Sequence, residues 1–296
     1  MSQTDCPSAF HRFPVELIRD IFEFAAQSDP SSACALSLVC GISRMWIEPI
    51  LYHTVVIESA RSLNAFAATI NTKPASFSSR VKHLGIFAPG PLSVIHGLMS
   101  ACQGVENLAC GFSLPSYAKE YRIAEHAFAQ QEQHLLSLSC TEGWDPTLLG
   151  PSVTRLRVHL SLVSWDPSRL EQLTHLRSLT HLAIVHRQSN NTPVFLLPII
   201  RDILGNIPLR LLLVQVIGRP QRAADDLVHT LNTRAMEELH DPRLVAEAAP
   251  FSTVRQWESA SRGAGDMWSG AESEVTRRRE TLSTRRGVHA PTMTQA

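Results

Sequence analysis

Apolar residues fall at helical spacing almost from the start of the chain. From Val15 they recur at Ile18, Ile21, Phe22 and Ala25, Leu17 and Phe24 widen the stripe, and Arg19, Asp20 and Glu23 supply a wet side. This is the period of an amphipathic helix. Pro14 suits the entry to that helix, where a missing donor costs nothing. Ser28-Asp29-Pro30-Ser31-Ser32 reads as a turn in which Ser31 or Ser32 caps the next helix. A second helix is expected over residues 33–40, with Ala35, Leu36, Leu38 and Val39 inward, and Gly41 interrupts it. A third carries Ile42, Met45, Trp46, Ile47, Ile50 and Leu51, with Pro49 distorting or ending the pattern. Residues 53–57 are rich in β-branched side chains and predict a strand. Three such short helices bury little surface, so apolar faces are left over for a partner.

Beyond them, Leu63, Phe66, Ala67 and Ile70 predict a helix ended by Lys73-Pro74. A phrase then recurs: an aliphatic residue, two variable positions, Leu, one position, an apolar residue. It appears as Val81-x-x-Leu84-x-Ile86, Val105-x-x-Leu108-x-Cys110, Leu135-x-x-Leu138-x-Cys140, Val153-x-x-Leu156-x-Val158, Leu179-x-x-Leu182-x-Ile184 and Leu209-x-x-Leu212-x-Val214. Helical stretches separate several copies, among them Leu92, Ile95, Met99 and Cys102, then residues 194–204 despite Pro198, then Leu227, Val228 and Leu231. The phrase resembles the core of leucine-rich repeats, whose period is about 20 to 29 residues. The Asn that usually follows is absent, since Pro89, Ser113, Gly143, Ser161, Arg187 and Ile217 stand there. An irregular leucine-rich-repeat-like strand/helix solenoid is expected, and an ordinary α/β sheet domain is the other reading of the same spacing. A solenoid would present its variable strand positions as a broad surface: Lys82, His83, Glu106, Asn107, Arg155, Arg157, Thr180, His181 and Arg210. Residues 241–245 predict a last edge strand. Trp257 is expected to anchor a helix that closes the open end of the stack, and residues 266–279 to form another helix. Arg277, Arg278, Arg279, Arg285 and Arg286 make the end of the chain basic, and few apolar residues follow Thr281.

Composition narrows the function classes. The 296 residues are 44% hydrophobic and 18% charged, with Lys+Arg and Asp+Glu both 27. Zero net charge argues against a basic nucleic-acid-binding body. No apolar run approaches the roughly 20 residues of a membrane span, and the first ten residues have no basic or apolar region of a signal peptide. Cys6, Cys34, Cys40, Cys102, Cys110 and Cys140 form no CxxC pair, so reduced thiols and no zinc site are expected. The 13 histidines are scattered without ligand spacing. No nucleophile elbow, zinc-protease helix or phosphate loop is present. Catalytic residues, cofactors and metal are therefore each expected to be none.

Phe13-Pro14-Val15-Glu16-Leu17-Ile18-Arg19-Asp20-Ile21-Phe22 resembles the opening of an F-box, Leu-Pro-x-Glu-Leu/Ile-x-x-x-Ile-Phe. Residues 36–40 and Arg44-x-Trp46 resemble its second half, Leu-Val-Cys-x-x-Trp/Arg. Glu48-Pro49-Ile50-Leu51-Tyr52-His53-Thr54-Val55 resembles the EPILYRTV run of F-box-like proteins from mushroom-forming fungi. The resemblance covers residues 13–57 and departs at Phe13, where Leu is usual, and in the spacing around Gly41. It implies a short N-terminal three-helix module that docks on the Skp-type adaptor of a cullin-based ubiquitin ligase. Phe13, Pro14, Leu17, Ile18, Ile21, Phe22, Leu38, Val39 and Trp46 match the docking motif. The implied role is a substrate receptor in the cytoplasm or nucleus, with an unknown protein substrate and no chemistry of its own. The alternative is a non-ubiquitin protein-interaction scaffold with a degenerate F-box. A third class, a small-molecule enzyme, would need a deep pocket of convergent His and Asp residues. The expected layout is a disordered stretch at 1–12, the helical module at 13–57, the α/β domain at 58–250, a helical cap at 251–280 and a flexible basic tail at 281–296.

Overall fold

The computed structural model describes residues 13–73, 75–121, 131–136, 149–150, 152–159, 167–187, 193–218 and 221–288. Helices α1 (Val15–Ser28), α2 (Pro30–Ser37) and α3 (Gly41–Leu51) lead into strand β1 (Thr54–Ile57). Then follow α4 (Ala60–Thr72), α5 (Ala75–Ser78), β2 (His83–Ile86), α6 (Leu92–Ala101), β3 (Asn107–Cys110), α7 (Leu114–Glu120), β4 (Glu132–Leu135) and β5 (Arg155–His159). Next come α8 (Pro167–Thr174), β6 (His181–Arg187), α9 (Pro193–Asn206), β7 (Leu211–Ile217), α10 (Gln221–Glu237) and β8 (Leu244–Ala248). Helices α11 (Thr253–Ser261) and α12 (Met267–Val288) complete the described elements, so helix continues past residue 281, where a flexible tail was expected. The strands form one eight-stranded sheet in chain order, β1 to β8, and every neighbouring pair is parallel.

An all-parallel sheet needs cover on both faces. On one face the register aligns Val55, Leu84, Leu108, Gln133, Leu156, Leu182, Leu212 and Leu244 in a single row. Leu63 and Phe66 of α4, Ile95 and Met99 of α6, Tyr117 of α7, Ile200 and Ile203 of α9, and Leu227 and Leu231 of α10 join this row in one core. The recurring phrase supplies the row at every copy except that beginning at Leu135. There the row residue is Gln133, fully buried, whose Oε1 accepts a hydrogen bond from the Gly150 amide at 3.4 Å. Leu138 and Cys140 lie outside the described residues. The apolar run beginning at Leu135 matches the phrase better than a polar glutamine does, which is why the pattern misplaces this strand by five positions.

The opposite face carries α11 and α12. Trp257 of α11 lies over Gly85, where a Cβ would sit 2.5 Å from its ring, and its Nε1 donates to Asn107 Oδ1 at 2.8 Å. Trp268, Ala271 and Val275 of α12 pack on Ala183, Leu211, Leu213 and Val245. The Trp268 Nε1 donates to Glu132 Oε1 at 3.0 Å.

The class is α/β, but the expected architecture needs correcting. The chain forms neither a distinct N-terminal three-helix module nor an irregular leucine-rich-repeat-like solenoid. It builds one continuous eight-stranded parallel sheet, the ordinary sheet-domain reading. Two physical reasons stand out. The first three helices bury only Ala26, Ala33, Ser43 and Ile47, too small a core to close by itself. They lean on the sheet domain instead: Tyr52, just after α3, packs on Phe66 and Phe77 with ring centroids 6.3 and 4.5 Å away, and Glu48 pairs with Lys73 at 3.0 Å. Second, the strand face that a solenoid would leave open is covered by α11 and α12. Trp257 therefore sits on the sheet face, not at the end of a stack. Asn107, Arg157 and His181, expected on a binding surface, are buried beneath these helices.

Candidate docking surface

Helix α1 carries two apolar stripes. One runs inward: Phe22 meets Trp46 edge-on at 6.4 Å, and Ala26 packs with Ala33 and Ile47. The other holds Leu17, Ile21 and Phe24, with Phe13 just ahead of the helix, and it faces solvent. The Pro14 carbonyl accepts from the Leu17 and Ile18 amides at 3.1 and 3.2 Å and starts the helix. At the next turn the cap is Asp29, not Ser31 or Ser32. Its Oδ2 accepts from the Ser32 amide at 2.8 Å and from the Ser32 hydroxyl at 2.9 Å. These bonds hold the Asp29 carboxyl below its ordinary range. Helix α2 ends at Ser37, earlier than its apolar pattern predicts. Leu38 and Val39 thus stand in the link to α3 and point outward rather than into a core.

Cys40 caps α3. Its Sγ accepts from the Ser43 amide at 3.4 Å, while Ser43 Oγ accepts from the Cys40 amide at 3.0 Å. The Ser43 hydroxyl and amide pull the exposed thiol below its ordinary pKa. Pro49 falls in the last turn of α3 without ending it. Ile42 and Met45 of this helix are exposed, as are Leu38 and Val39 just before it.

The result is an apolar surface confined to one segment. Nine of the ten exposed large apolar side chains among the described residues are Phe13, Val15, Leu17, Ile21, Phe24, Leu38, Val39, Ile42 and Met45; the tenth is Phe251. Their exposure runs from 48% at Leu17 to 75% at Leu38. Of the residues matching the docking motif, Phe13, Pro14, Leu17, Ile21, Leu38 and Val39 are on this surface. Ile18 is half-buried, and Phe22 and Trp46 turn into the small core beneath. Val15, Phe24, Ile42 and Met45 belong to the surface and were not singled out from the motif. For Phe24 the signal is its place in the Phe13, Leu17, Ile21 stripe. Nothing local marks Ile42 and Met45 as outward, because both also fit the inward pattern of α3.

A cavity of about 640 Å³ separates these helices from α11, lined among others by Ala33, Ile50, His53, His83, Ser261 and Arg262. Burial pushes the His83 imidazole down to about 4. Among the described residues no three His, Cys, Asp or Glu side chains gather as a metal site requires, and no helix is long and apolar enough to cross a membrane. No protein-family model matches the chain, and no curated protein matches it either.

Proposed function

We propose that the chain is an F-box-like substrate receptor. Its N-terminal helices dock on the Skp-type adaptor of a cullin-based ubiquitin ligase, and the rest of the chain holds a protein substrate. The observation that carries the reading is the concentration of exposed apolar side chains on α1, the α2–α3 link and α3. Such a patch is costly to leave in water and marks a protein-binding site. A segment packed on itself would favour the scaffold alternative, but here the motif side chains that are not needed for the small core face outward. The chain supplies no chemistry in this role. It raises the effective concentration of substrate lysines near a charged ubiquitin carrier, in the cytoplasm or nucleus. The strand face beneath α11 and α12 is not part of the substrate-holding surface.

The test is co-purification of the full chain with a Skp-type adaptor beside the Leu17→Asp/Ile21→Asp double variant. Both side chains are exposed, so the variant keeps the wild-type circular dichroism and melting temperature while adaptor binding is lost. A folded double variant that still retains the adaptor refutes the docking surface. A folded wild-type chain that never binds the adaptor leaves the scaffold reading.

A further inference from the structure

The basic run on α12 takes no part in adaptor docking. Arg277, Arg278 and Arg279 are followed by Glu280, Thr281 and Leu282. Thr281 thus has arginines two and three positions before it and an apolar residue directly after it. No other serine or threonine of the chain has basic residues at both of those positions. Paired positive charges at a fixed distance before a hydroxyl are the pattern that an arginine-directed protein kinase selects, through carboxylates that hold the two guanidinium groups.

The fold treats the three arginines differently. Arg277 and Arg279 are exposed, while Arg278 is buried and pins α12 to the sheet domain. Its Nη1 donates to the Leu244 carbonyl at 2.5 Å, its Nη2 to Asn232 Oδ1 at 2.8 Å and its Nε to Glu274 Oε1 at 2.6 Å. Past this pin the helix is unsupported. No side chain of residues 279–284 is buried, and Thr281 is exposed. A helix end without packing is marginal in water. The Thr281, Ser283 and Thr284 hydroxyls donate to the Arg277 and Glu280 carbonyls at 3.0, 2.8 and 2.9 Å, and such back-bonding weakens a helix further. The turns around Thr281 can therefore open locally while the sheet stays folded. Presenting Arg278 to a kinase also requires its three contacts to be given up, so the site is masked while α12 lies fully docked.

We propose that Thr281 is a phosphorylation site of an arginine-directed protein kinase, and that its phosphate draws Arg278 away from β8 and loosens the end of α12. In the transfer, Thr281 Oγ1 forms a bond to the γ-phosphorus of MgATP and the bond from that phosphorus to its bridging oxygen breaks. ADP leaves, and the hydroxyl proton passes to the catalytic carboxylate of the kinase. The new group carries roughly 1.5 to 2 negative charges and stands one helical turn past Arg277 and Arg278, within side-chain reach of both. A phosphate oxygen is a stronger acceptor than the Leu244 carbonyl or the Asn232 amide that now hold Arg278. Thr281 also lines a groove with Glu237 and Glu274, whose like charges oppose a phosphate in the docked position.

The experiment incubates the folded full chain with MgATP and the catalytic subunit of a cyclic-AMP-dependent protein kinase, and maps the product by peptide mass spectrometry. A single phosphoryl group per chain is expected, on Thr281. Thr281→Val, of similar volume at an exposed position, keeps the melting temperature and loses the modification. Arg279→Gln, also exposed, lowers kcat/KM for the modification by about tenfold or more, as the loss of one charge-assisted contact implies. Glu274→Ala removes one of the groups holding Arg278 and speeds the modification. Amide exchange over residues 276–284 is then faster in the phosphorylated chain than in the unmodified one. A folded wild-type chain that takes up no phosphate overturns the site, and so does uptake unchanged by Thr281→Val or by Arg279→Gln. A Glu274→Ala chain modified no faster than wild type contradicts the masking of Arg278. Equal amide exchange in the two forms overturns the loosening of α12.

Discussion

The N-terminal helices and the parallel sheet spend their apolar residues in opposite ways. In α1–α3 a small core of Ala26, Ala33 and Ile47, with Phe22, Leu36 and Trp46 packed against it, holds the helices together, and most of the other large apolar side chains face water. In the sheet the large side chains interlock behind a leucine row, and polar groups such as Gln133, Arg157 and Gln215 are drawn inside. Hydrophobic burial is the main force for folding, so exposed Leu17 or Met45 contributes almost nothing to the stability of the isolated chain, whereas buried Leu182 contributes fully. Apolar residues withheld from folding remain available for association. The sheet is therefore the stable base, and the helices leave much of their apolar surface in water.

Breaking the sheet side has the largest expected effect. Trp257→Ala removes the ring over Gly85 and the hydrogen bond to Asn107, and a loss of about 3–5 kcal/mol is expected in urea unfolding. Leu182→Ala, in the middle of the leucine row, costs about 2–5 kcal/mol by the same measurement. A value under 1 kcal/mol for either would mean that the contact is not made in solution. Gly85→Ala forces a methyl into the Trp257 ring and is expected to cost about 1–3 kcal/mol. Combined with Trp257→Ala its cost should shrink but not vanish, because the Trp257 clash has gone while the Phe87 ring still lies 2.7 Å from the added methyl.

Acid sharpens the comparison. Burial pushes His83 and His159 down to about 4, and lowers His134, His181 and His186 as well. The unfolded chain therefore takes up these protons first as pH falls, so the stability they contribute is whole above about pH 6.5 and is lost on the way down to about 4. The urea midpoint should drop across this window, and His83→Phe should flatten part of the slope. A midpoint constant from pH 7 to 4 would contradict the burial of the histidines. The smallest effect belongs to the helices: Ile21→Ala or Met45→Ala should change stability by no more than about 0.5 kcal/mol while weakening adaptor capture.

Much of this was legible in the chain. The Leu17–Phe24 periodicity marks α1, the β-branched run before Glu58 marks β1, and all but one of the leucine phrases mark their strands, because each depends on spacing within a few residues. The motif names the residues proposed for docking, yet it does not separate Phe22 and Trp46, which turn inward, from Leu17 and Ile21, which do not. The phrase at Leu135 misleads because local pattern rewards apolar character and cannot see that register with β3 and β5 selects Gln133.

By itself, then, the sequence determined the alternation of strands and helices, the α/β class and the surplus of apolar residues at the N-terminal end. Three matters were settled only by the tertiary structure: which stripe of α1 is buried, that the strand face is closed by α11 and α12, and that Arg157 is buried beneath them. The reason is the range of the forces. Helix and strand periodicity are set by neighbours along the chain. Trp257 finds Asn107 across 150 positions and Trp268 finds Glu132 across 136. Such pairings exist only once the sheet has brought their strands together.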